Sequence, residues 1–226
     1  MSPRVRSIID FNTVDALYAL KEQKRVGWEI RGIRDPESVS DHSWGTALLC
    51  LLYARAAGVN AERAVAMALV HDIAEAVTGD VASRVDHRDR TISQRQKQLN
   101  ELAAMERLFP EPDAEPGSAA DSATDGGSAA DTTACADAAT VRSLWNEYES
   151  STSEVARFVR DMNLVDMCLQ ALRYEREQRY SRAADYPSSG GFRRLDEFFA
   201  TAAPRVATAV GRELFDLAHA AYRRLT

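Results

Sequence analysis

Apolar residues in this chain recur every three to four positions in segment after segment, and no stretch of useful length alternates apolar with polar. A half-buried sheet needs a two-residue period, so the pattern excludes one and predicts an all-α protein. DFNTVDALYALKEQ places Phe11, Val14, Leu17 and Leu20 at helical spacing. SWGTALLCLLYARAAG predicts a strongly apolar helix stopped by Gly58. Asn60 is suited to cap the next helix, with Glu62 in its first turn and Gly79 as its terminator. TISQRQKQLNELAAMERLF reads as an amphipathic helix with a wet face. Ser151 and Glu154 form a candidate capping box ahead of VARFVRDMNLVDMCLQALRYEREQ. A further helical stretch or two fills the C-terminus, broken at Pro204.

One segment departs from this pattern. Residues 110–140 are rich in Ala, Asp, Ser, Gly and Pro and carry no large apolar side chain. Burial there cannot offset the entropy of ordering, which predicts a disordered acidic insertion between two helices. The rest, within 1–226, is expected to form a single domain.

A net charge of −6 weighs against a general nucleic-acid binder, although a local arginine cluster or a metal leaves small anionic substrates open. Cys50, Cys135 and Cys168 are widely spaced with no CxxC pair, which favours plain packing over metal binding or redox chemistry. The N-terminal MSPRVRSIIDF lacks the apolar core of a signal peptide, and no apolar run is long enough to cross a bilayer, so a cytoplasmic protein without membrane or nucleic-acid partners is expected.

The chemistry concentrates in MALVHDIAEAVTGD, residues 67–80, where an apolar segment carries His71, Asp72, Glu75 and Asp80. Burying unpaired acids is costly, so a positive charge is expected among them. On the helix expected through residue 71, His71 and Glu75 are four apart and share a face, and Asp72 lies about 100° around it. Upstream, His42 begins the other very apolar helix. Two neutral imidazoles and a carboxylate suit a divalent metal such as Mn, Fe, Co or Ni. There is no Walker A motif to support a P-loop kinase.

His42 followed by the adjacent pair His71–Asp72 resembles the HD-domain superfamily of metal-dependent phosphohydrolases. The longer strings KRVGWEIRGIRDPESVSDHSW, MALVHDIAEAVTGD and LWNEYESSTSEVARFVRDMNLVDMCLQALRYE are similar to a narrower group, the HDDC2/YfbR-like 5′-deoxynucleotidases. The likeness covers most of 11–109 and 141–180. It implies an HD-domain helical bundle, a homodimer, and hydrolysis of nucleoside 5′-monophosphates, with deoxy or 2′-modified sugars preferred. It implies a divalent ion (Mn, Co, Fe, Ni or Mg) held by His42, His71 and Asp72. It also implies that Glu75 positions the attacking water or phosphate, and that Asp80 belongs to the substrate and catalytic site. Arg25 and Trp28 come from the RxGW stretch, with Trp28 crowding the sugar 2′ position, and Arg31 and Arg34 are further cationic candidates.

The chain departs from this family at its fourth ligand. An ungapped alignment of FVRDMNLVDM puts Asn163 where the family has an aspartate. An amide oxygen can ligate but brings no charge. Asp166 falls inside the apolar arc of its helix and is the alternative ligand or a supporting residue, whereas Asp161 falls at the far edge. Three outcomes stay open: a looser, more exchangeable metal, Asp166 as ligand, or a catalytically weak nucleotide-binding or regulatory protein. A di-iron oxygenase would need further ligands, and His87 and His219 are the remaining histidines.

Overall fold

The computed structural model describes residues 10–85, 91–110, 138–181, 191–192 and 194–225. Its secondary structure is helical; among the described residues the one strand-like feature is an isolated antiparallel bridge between Lys24 and Ser38. Helix α1 (Phe11–Tyr18) runs into a 3-10 turn at Ala19–Lys21 and is followed by a short α2 (Val26–Ile30). Two helices packed on each other, α3 (Val39–Ala57) and α4 (Ala61–Val70), precede a one-turn α5 (Glu75–Thr78). Then come α6 (Gln94–Leu108), α7 (Ala138–Ser150), the long α8 (Glu154–Glu177), α9 (Asp196–Ala202) and α10 (Ala209–Arg223). The insertion expected over about 110–140 falls mostly outside the described residues, as do His87 and Cys135, while residues 138–140 open α7.

Local chemistry accounts for several helix ends. Ser38 Oγ accepts from the Asp41 N–H at 3.1 Å and Asp41 Oδ2 accepts from the Ser38 N–H at 2.8 Å, a reciprocal box that starts α3. Gly58 ends it at φ 71°, a left-handed conformation that side chains resist. Asn60 caps α4 through the Arg63 N–H at 2.8 Å.

Two expectations need correction. The cap of α8 is Ser153, whose Oγ accepts from the Ala156 N–H at 3.0 Å. Ser151 instead makes the turn between α7 and α8 at φ 53°, so the helix cannot begin until the chain has left that conformation. The helix through residue 71 is also not continuous: α4 ends at Val70, and i→i+3 bonds carry the chain through 71–74 into α5. The His71 ring supplies the reason. Its Nδ1–H donates to Ala68 O at 2.7 Å, the carbonyl that an uninterrupted helix would offer to Asp72.

Helix α8 packs against α3, α4, α7, α9 and α10. Its Val159, Met162, Val165 and Cys168 are fully buried, with Cys50 and Ala54 of α3 and Met67 of α4 in the same cluster. Each large apolar side chain so buried contributes about 1.5–3 kcal/mol. Burial also pushes the Cys50 thiol up to about 12, in keeping with a packing role. A second cluster joins Ile73 and Ala74 to Met105, Phe109 and Trp145, seating the 71–74 turn against α6 and α7. No described helix is long and apolar enough to cross a membrane.

Candidate metal centre and active site

Three stretches assemble the site: the first turn of α3, the turn after α4, and the segment leading into α2. The α3 cap box fixes His42 in the first turn, fully buried. His71, 2% exposed, is held by its bond to Ala68 O. Their rings meet edge-on with centroids 5.3 Å apart. Asp72 Oδ2 lies 3.2 Å from His71 Nε2 and 3.8 Å from His42 Nε2. Both Nε2 atoms are buried without a hydrogen-bond partner, an arrangement that a fold tolerates poorly. One ligand atom from each of His42, His71 and Asp72 lies within 4.8 Å of the others. Two nitrogens and a carboxylate oxygen in that space fit a divalent ion.

The outer ring nitrogens support this arrangement. His42 Nδ1 lies 2.7 Å from Asp166 Oδ2, so Asp166 sits behind the imidazole, on the side away from Asp72. Hydrogen on both Nδ1 atoms leaves each Nε2 lone pair free for a cation. Burial and the nearby Arg25 charge lower His42 to about 3, so its ring is neutral near pH 7. Burial pushes the Asp166 carboxyl up to about 7, and a cation at Nε2 would favour the form with the proton on the ring. Gly45 makes the approach possible: a Cβ there would overlap Asp166 Oδ1 across the α3–α8 contact.

Arg25 is the positive charge expected among the acids, and it comes from a distant part of the chain. Its Nη1 lies 2.9 Å from Asp72 Oδ2, 3.4 Å from Asp80 Oδ1 and 3.9 Å from Glu75 Oε2. Burial opposes the guanidinium charge, but Asp80, Asp72 and Glu75 outweigh it and raise its pKa. For Asp72, burial favours the neutral acid, yet His71 and Arg25 hold it well below the carboxylate range. Glu75, 1% exposed, is raised by burial and by Asp72 and Asp80. Asp80 has both oxygens engaged, one by Arg25 and the other by the Val26 N–H at 2.5 Å, which anchors the start of α2.

A cavity of about 490 Å³ opens onto this cluster, within the range of small-molecule sites. His71, Asp72, Glu75, Asp80, Arg25, Trp28 and Asn163 line it, and His42 lies buried beside Asp72. Asn163 Nδ2 donates to the Tyr148 hydroxyl at 2.8 Å, and the Tyr148 ring meets His71 edge-on at 5.2 Å.

Other candidates lie elsewhere. Arg31 donates to the carbonyls of Phe192 and Arg194, and Arg34 donates to Gln178 O, so both tie the C-terminal segments to the N-terminal ones. Asp161 accepts from Ala207 N, Thr208 N and Thr208 Oγ1 at the start of α10. His219 stacks on Phe199 at 5.0 Å. No sequence motif marks Lys97, whose Nζ lies 3.3 Å from Glu75 Oε1 and 3.2 Å from Glu101 Oε1 on the cavity wall. Tyr148, Arg160 and Phe198 on the same wall are likewise unmarked in the sequence. In sequence, Lys97 and Glu101 look like an ordinary i,i+4 surface pair.

A family profile described as HD domain matches residues 17–206. The chain is 33% identical over 174 residues to 5′-deoxynucleotidase HDDC2 of Xenopus laevis, spanning 75% of this chain and 72% of that protein. It is 30% identical over 175 residues to 5′-deoxynucleotidase hdd1 of Schizosaccharomyces pombe, with 76% and 74% covered. A crystal structure from Pyrococcus horikoshii shares the fold, with a TM-score of 0.64 at 24% identity over 96% of this chain and 100% of that one. The chain belongs to the HD-domain family, alongside the HDDC2-type 5′-deoxynucleotidases.

Proposed function

We propose that this chain is a metal-dependent phosphohydrolase that releases phosphate from nucleoside 5′-monophosphates, preferring 2′-deoxy or 2′-modified sugars. The observation that carries the proposal is the pair of buried, partnerless Nε2 atoms of His42 and His71 converging with Asp72 beside the cavity. The relatives named 5′-deoxynucleotidase supply the substrate class. His42, His71 and Asp72 would hold the ion, and Asn163, on the same cavity wall, would offer its amide oxygen. Asp166, which faces the other ring nitrogen of His42, supports that ligand and stays outside the donor set. A divalent ion bound there would supply the acidification of water and the neutralisation of phosphate oxygens.

The protein's own side chains do the rest. Glu75, in a dry setting that raises its proton affinity, orients the attacking water and accepts its proton. Arg25 offers a planar fork to the phosphate. Asp80 contributes to substrate binding by holding Arg25 and the start of α2. Trp28 walls the sugar. Five cationic and five carboxylate side chains line the cavity, so a dication leaves its wall two positive. That charge matches a phosphate monoester, which carries about −1.5 to −2 near pH 7.

The chain works as one HD domain in the cytoplasm. A homodimer is supported by Trp44, Leu48, Leu51 and Leu52, which expose an apolar stripe along α3. Light scattering on the purified protein tests the dimer. A second possibility, a catalytically weak nucleotide-binding protein, is favoured by the uncharged Asn163, whose amide is engaged by Tyr148. A phosphate-release screen over ribo-, deoxy- and arabino-nucleoside monophosphates, with each divalent metal and with chelator, decides between them. Metal-dependent release with a deoxy preference supports the enzyme. Nucleotide binding without release under any metal supports the alternative.

A further inference from the structure

We infer that Glu37 is a positioning residue that sets sugar selectivity by fixing the Trp28 indole; this rests on the proposed role of Trp28 as the sugar wall. Glu37 touches several parts of the site at once. Its Oε1 accepts the Trp28 Nε1–H at 2.8 Å. Its backbone N–H donates to the Tyr174 hydroxyl at 2.8 Å, and its carbonyl accepts from the Arg25 N–H at 3.1 Å. Its carboxylate also lies within 4.8 Å of a His42 ring nitrogen and an Asp166 oxygen.

The indole has two kinds of restraint. Phe198 lies against it with centroids 4.0 Å apart at 31°, and Tyr174 meets it edge-on at 5.1 Å. Ring contacts of this kind restrict separation and tilt, but they tolerate sliding and in-plane rotation. The bond to Glu37 is directional and pins the Nε1 corner. Trp28 lines the cavity yet is only 2% exposed, so a small rotation decides how much of the ring edge reaches the sugar.

The test compares the parent with E37Q, E37M, W28F and W28F/E37M, each at saturating metal, reading kcat/KM for a deoxy- and a ribonucleoside monophosphate. E37Q keeps an acceptor for the indole N–H and keeps the selectivity ratio. E37M keeps the bulk without the acceptor, and the ratio falls about tenfold, the scale of one steric contact. In the W28F background E37M adds nothing, because the donor is already gone. An unchanged ratio in E37M, or an equal fall with and without Trp28, overturns the inference. If E37M does not fold, W28F still decides against it by retaining the full ratio. An independent readout needs no turnover: the Trp28 indole N–H signal in NMR loses protection from solvent exchange in E37M and keeps it in E37Q. If the parent releases phosphate from no nucleotide, the proposed function fails on its own. Retained protection in E37M would then separately refute the Glu37 assignment.

Discussion

Arg25→Met removes one positive charge from a nearly dry cluster of three acids while keeping most of the side-chain volume. The Arg25 side chain is 17% exposed, against 14% for Asp72, 2% for Glu75 and 5% for Asp80. At 2.9 Å and an effective dielectric near 20, the Arg25–Asp72 attraction alone is about 6 kcal/mol in gross terms. Much of that repays desolvation, so the measurable loss is smaller, about 3–5 kcal/mol for a broken buried pair. Proton uptake by one of the orphaned acids sets the low end of that range. The assay is urea unfolding of chelator-treated parent and variant. Adding a divalent ion should then rescue the variant more than the parent, because the dication satisfies Asp72, which has lost its partner. At a hundredfold excess over its Kd, an ion that binds only the folded state adds about 2.7 kcal/mol. Equal stability in chelator, or equal rescue by metal, would show that the acids do not depend on this guanidinium and that the charge argument is wrong.

Asp72→Ala should abolish metal binding and phosphate release together, whereas Glu75→Ala should keep the metal and lose about 10² or more in rate; metal content by atomic absorption with turnover separates the two roles. If both variants lose metal alike, Glu75 is a ligand. Asn163→Asp should tighten metal binding in calorimetric titrations of the apo protein by adding a charge to the donor set, and an unchanged affinity would place Asn163 outside it. Gly45→Ala should displace Asp166 from His42 and weaken metal affinity by about 10- to 100-fold, the usual scale for a support residue behind a metal-bound imidazole. An unaltered affinity there would show that His42 needs no such support.

The sequence by itself was sufficient where the governing physics is short-ranged. Apolar spacing marked the helices, and Gly58 and Asn60 marked the α3–α4 connection, because capping and periodicity act within a turn or two. His42, His71 and Asp72 are legible as candidate ligands because their chemistry is scarce on apolar helices. Even here a local contact overrode the periodicity: the His71 ring takes the carbonyl that helix continuation would use, ending α4 and turning Asp72 toward both imidazoles. The rest of the site depends on contacts between residues far apart in the chain, and no local pattern encodes those. Arg25 reaches Asp72 and Asp80 from 47 and 55 positions away, and Asp166 meets His42 across 124. Asp161 and Asp166 looked like neighbouring candidates on one helix, yet packing sends one to the start of α10 and the other behind a histidine. Lys97 reads as a surface residue until α6 packs against α5 and brings it to Glu75. Which charges end up sharing a dry space is set by how the helices pack, and that is where the tertiary structure decided this site.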